Sequence, residues 1–202
     1  MRRREEKLFS DWDKARGTWD AARDQGQNEL SNISNRAMTM GHLAPGKAGS
    51  AEVSGVPANV AAATEAECYD QMLAEHRALY ATLGRMLVAV EAMEAVGNAF
   101  RVIGDAELKE SPSLITHDHH TIGRVLTEVA AMYREQYDAC AHVVEASEPD
   151  IARAASPSVL TLRNSVWLME PMIVRGKLDI LQRIRRTELD PMSQEAFLGG
   201  VR

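Results

Sequence analysis

The chain has 202 residues, 45% of them hydrophobic, with 29 acidic against 23 basic side chains and a net charge of −6. That length suits one domain, or one domain with a tail. A mildly acidic chain with scattered cations excludes a generic nucleic-acid binder, whose footprint is a basic patch. No run of about 18 uncharged apolar residues occurs, so neither a membrane span nor a membrane partner is expected.

The two basic clusters, Arg2-Arg3-Arg4 and Arg183-Ile184-Arg185-Arg186, are small and read as solvated helix ends rather than phosphate contacts. The start resembles a signal peptide only in its arginines. Glu5 and Glu6 follow and no apolar stretch does, so an intracellular protein is expected. Cys68 and Cys140 have no nearby partner and lie on apolar-periodic stretches, as reduced core thiols do.

From Arg4 to Met40, the residues Trp12, Ala15, Trp19, Ala22, Gly26, Leu30, Ile33, Ala37 and Met40 recur at steps of three and four. This predicts a long amphipathic helix, ended by Gly41. Such a helix exceeds what one small bundle covers, so part of its seam is expected to face partners. Residues 41–58, rich in Gly, Ser, Ala and Pro, read as a flexible linker.

A second long helix is predicted from Asn59 to about Val102, with Thr64 and Glu67 as an internal capping box. Its seam is Tyr69, Met72, His76, Leu79, Leu83, Met86, Val90 and Met93, widened by Leu73, Tyr80 and Leu87 toward a bundle. After a connection holding Ser111-Pro112, a third helix carries Ile122, Val125, Val129, Met132, Gln136, Ala139 and Val143. Leu126, Tyr133, Tyr137 and Cys140 lie beside that seam, and Pro149 closes it. Ser156-Pro157 opens a short helix through Val159, Leu162, Val166 and Met169, stopped at Pro171, and a last helix spans Lys177 to Glu188 with Leu178, Leu181 and Ile184.

The fold expectation is therefore all-α: long antiparallel helices in a coiled-coil-like bundle with a short C-terminal helical segment. The division expected is an N-terminal helix (1–40), a linker (41–58), the bundle (59–188) and a tail (189–202).

Candidate chemistry is sparse. His117-Asp118-His119-His120 holds metal-type donors, but neighbouring side chains in a loop diverge and no further ligand is evident; Asp118 instead suits a helix N-cap in a solvated loop. No Glu has a His three residues later, which a di-iron bundle requires. His76 and His142 read as packed or boundary residues. There is no G-x-S-x-G, no activated cysteine and no phosphate loop. No enzymatic activity, metal or cofactor is expected.

One set of spacings carries more. Asp11-Trp12, Trp19 and Asn32-Ile33 are followed by Met132-Tyr133-Arg134, Pro149-Asp150, Leu160-Thr161-Leu162 and Trp167-Leu168 with Pro171. In that order and at those distances, over about residues 8 to 175, the chain resembles the cyclin-dependent kinase 2-interacting protein family. The helix from Tyr69 to Val96 falls where that family has its central coiled coil. Two stretches depart from it: Leu114-Ile115-Thr116-His117 replaces a tryptophan-containing aromatic stretch, and Ala152 to Ser158 is an insertion.

The resemblance implies a non-enzymatic scaffold, largely nuclear and also cytoplasmic. It would pair with a related small helical protein and act with an AAA-type ATPase in large ribosomal subunit maturation and replisome turnover. Links to cyclin-dependent kinases and checkpoint proteins are implied too. The partner-binding residues expected are Trp12, Trp19, Tyr133, Trp167 and Pro171. The alternative reading is a self-associating structural coiled-coil protein with no such partners.

Overall fold

A computed structural model describes residues 2–43, 57–107 and 117–189. The middle of the expected linker, the Ser111-Pro112 connection with Leu114 to Thr116, and the tail from 190 lie outside the described residues. The chain is an all-α helical bundle, with no strand among the described residues. Its elements are α1 (Arg2–Leu43), α2 (Ala58–Glu107), α3 (His119–Glu145), α4 (Pro149–Ala154), α5 (Pro157–Met169) and α6 (Arg175–Leu189).

α1 holds a seven-residue phase along almost its whole length. Glu5, Trp12, Trp19, Gly26, Ile33 and Met40 recur every seventh position and are all buried. Phe9, Ala15, Ala22, Leu30 and Ala37 fill the intervening half-turns. A repeat of seven on a helix of 3.6 residues per turn keeps one narrow stripe turned inward. Gly41 does not end the helix, which continues to Leu43. The seam, expected to be left in part to partners, is buried within this chain from Glu5 to Met40.

α2 repeats the phase with Met72, Leu79, Met86, Met93 and Phe100, each fully buried. Tyr80 does not widen the stripe as expected; it is exposed, with its ring edge-on to His76 at 5.1 Å. Thr82, Ala89 and Val96 broaden the buried face on the opposite flank. The expected capping box does not form, since the helix already starts at Ala58. The Thr64 hydroxyl donates to the Val60 carbonyl, and Glu67 accepts from Gln71 one turn on.

The chain divides into two compact units. The first gathers the described residues up to Asp20, Leu87–Gln136 and those from Pro171 on; the second gathers Ala21–Met86 and Tyr137–Glu170. In the first unit, Phe9 lies on Phe100 with ring centroids 5.0 Å apart, and Trp19 meets Tyr133 edge-on at 5.1 Å. α2 and α3 run antiparallel there and their backbones nearly touch. A Cβ on Gly97 would lie 2.9 Å from Thr127 Oγ1, and one on Gly123 2.9 Å from the Arg101 nitrogen.

In the second unit, α1 and α2 run antiparallel. Thr82 donates to the buried Glu29 at 2.9 Å, Asn32 to Glu75 at 3.0 Å and Arg36 to Gln71 at 2.8 Å, so α2 numbers fall as α1 numbers rise. α3 joins them where His76 Nε2 meets the Val144 carbonyl at 3.1 Å. Pro149 does not close α3, which ends at Glu145. It is the first residue of α4, whose N-cap Glu148 accepts the Ile151 N–H. Proline loses nothing at that position, where its missing N–H would be unpaired in any case. Five of the seven residues from Ala152 to Ser158 are helical, and Ser156 is extended before Pro157 as pre-proline sterics require.

Candidate functional site

The histidine loop is the first place to look for chemistry. Asp118 caps α3: the Thr121 N–H donates to its Oδ1 at 2.6 Å. That bond holds the Asp118 carboxyl below its ordinary pKa, against a smaller opposing effect of burial. The three histidines diverge to separate partners, all in the first unit. His117 Nδ1 meets Glu188 Oε1 at 2.9 Å, His119 Nε2 meets Glu5 Oε1 at 2.8 Å, and His120 Nε2 meets Asp105 Oδ1 at 3.2 Å.

The loop is not simply solvated, as expected from sequence. His119, Glu5 and Glu188 are all buried, and His119 also stacks on Phe100 at 5.9 Å. A buried carboxylate is tolerated only when paired, so these are structural clasps of α1 and α6 onto the loop that opens α3. Among the described residues, no cluster of three or more potential donors could hold a metal. The missed signal was in the seven-residue phase: stepping back from Trp12 lands on Glu5, a polar residue at a core position, as register-fixing residues in coiled coils are.

Four of the five candidate partner-binding residues lie in the chain's own core. Trp12, Trp19 and Tyr133 are buried in the first unit and Trp167 in the second. Trp167 Nε1–H donates to the Arg23 carbonyl at 2.8 Å, and its ring fills the space beside Gly26 that a Cβ would occupy. Pro171 is exposed. Before it, Glu170 closes α5 with a left-handed φ of 46°, and its carboxylate reaches Arg23 at 3.1 Å. Thus α5 ends one residue ahead of the proline.

Of the stripe Val159, Leu162, Val166 and Met169, all but the half-buried Val166 face outward. Val159, Leu162 and Met169 are exposed, Leu162 by 65% and Met169 by 74%; the buried pair is Leu160 and Trp167, on the far side of the helix. This thirteen-residue helix thus carries two apolar faces. The seven-residue step from Leu160 to Trp167 matches the phase of α1 and α2, and it marks the inner face.

Between α4 and α5, within the second unit, runs a groove of about 500 Å³. Ile151, Ala154, Ala155, Val159 and Arg163 line it with Asp150. Arg163 Nη1 is shielded from solvent and has no hydrogen-bond partner among the described residues, and burial pulls the Arg163 pKa below its ordinary value. The nearby acids are engaged: Asp150 accepts from Tyr69, and Glu65 pairs with Arg153. Partial burial, then the Asp150 charge, raises the Tyr69 phenol above its usual range. Two of the groove's six lining residues, Ala154 and Ala155, belong to the stretch Ala152–Ser158.

No protein-family model matches the sequence, and no curated protein matches it either.

Proposed function

We propose that the chain is a non-enzymatic adaptor subunit of the kind the cyclin-dependent kinase 2-interacting protein family comprises. In this reading its helices pair with a related small helical protein, and the pair docks an AAA-type ATPase. The assembly acts in large ribosomal subunit maturation and replisome turnover, with links to replication kinases and checkpoint signalling, chiefly in the nucleus.

The observation that carries the adaptor reading is the outward stripe of α5. A helix that buries one apolar face and leaves a second one exposed has more apolar surface than its own bundle uses, and such surface is where soluble proteins meet partners. The naming of those partners rests on the motif order from Asp11-Trp12 to Trp167-Leu168 and Pro171. The core positions of Trp12, Trp19, Tyr133 and Trp167 give them the task of holding the scaffold rigid.

The test is affinity purification of the tagged full chain from native extract, with quantitative mass spectrometry. Stoichiometric recovery of an AAA-type ATPase and one small helical protein is expected. A chain that returns only itself, as a dimer by light scattering, is the structural coiled-coil protein of the alternative reading instead.

A further inference from the structure

We draw no further inference here: the strongest candidate, the groove of about 490 Å³ between α1 and α6 in the first unit, has its aromatic floor of Phe9 and Trp12 buried and its rim residue Arg185 paired with Asp13, and nothing in the structure shows what covers it.

Discussion

Gly26 lies under the indole of Trp167, and that contact decides what each residue tolerates. In an ordinary exposed helix, replacing glycine by alanine gains about 1 kcal/mol. Here the new methyl would occupy the ring's place, so Gly26→Ala should instead lower stability by about 1–3 kcal/mol, the usual cost of overpacking. Chemical denaturation of the variant gives the sign directly. Asp118 makes a second prediction. Its folded pKa is depressed, so its contribution is present above the ordinary carboxylate pKa and lost as pH falls through the folded value. Asp118→Ala should cost about 1 kcal/mol at neutral pH, the worth of an N-cap. The gap between wild type and variant should close as the pH is taken down through the carboxylate range, and melting curves over that range will measure it.

Among the helices, the two glycines between α2 and α3 set the distance of approach. Gly97 and Gly123 let the backbones come within reach of each other's polar atoms, and nothing larger fits. Gly123→Val should cost about 3 kcal/mol or more, since the Arg101 nitrogen and the Gly97 carbonyl oxygen among the obstructing atoms are main chain and cannot swing aside. A circular-dichroism melt would detect it. This spacing is the kind of information that periodicity hides: a glycine on a seam reads from sequence as a weak helix position, although here it marks a close approach of two backbones. The long repeats of α1 and α2 were legible because every seventh residue obeys the same demand. The outer face of α5 was legible as apolar but not as outward, because one helix carries two apolar faces and only the partner helices decide which turns in. Pro149 misled for a local reason, since proline both ends one helix and begins the next. The buried Glu5, Glu29 and Glu188 escaped notice because their partners lie far away in sequence.

For the molecule as a whole, Trp167 and Leu162 separate two kinds of apolar residue on one short helix. Trp167→Ala should lower stability by roughly 3–5 kcal/mol, as large-to-small core changes do. Leu162→Ser should leave the melting temperature unchanged and reduce concentration-dependent aggregation, measurable by light scattering. Each compact unit, moreover, is collected from separated stretches of chain. Asp13 reaches Arg185 Nη1 at 2.7 Å across 172 positions, and Glu5 reaches His119 across 114. Timing follows from this. On the ribosome, α1 emerges long before the residues from Pro171 that share its unit, so Phe9 and Trp12 wait for Leu178 and Leu181 of α6 to come beside them. Contacts so remote in sequence close late and slowly. A nascent chain arrested before α6 should therefore recruit chaperones to its N-terminal aromatic residues, and release should follow once the last helix is made.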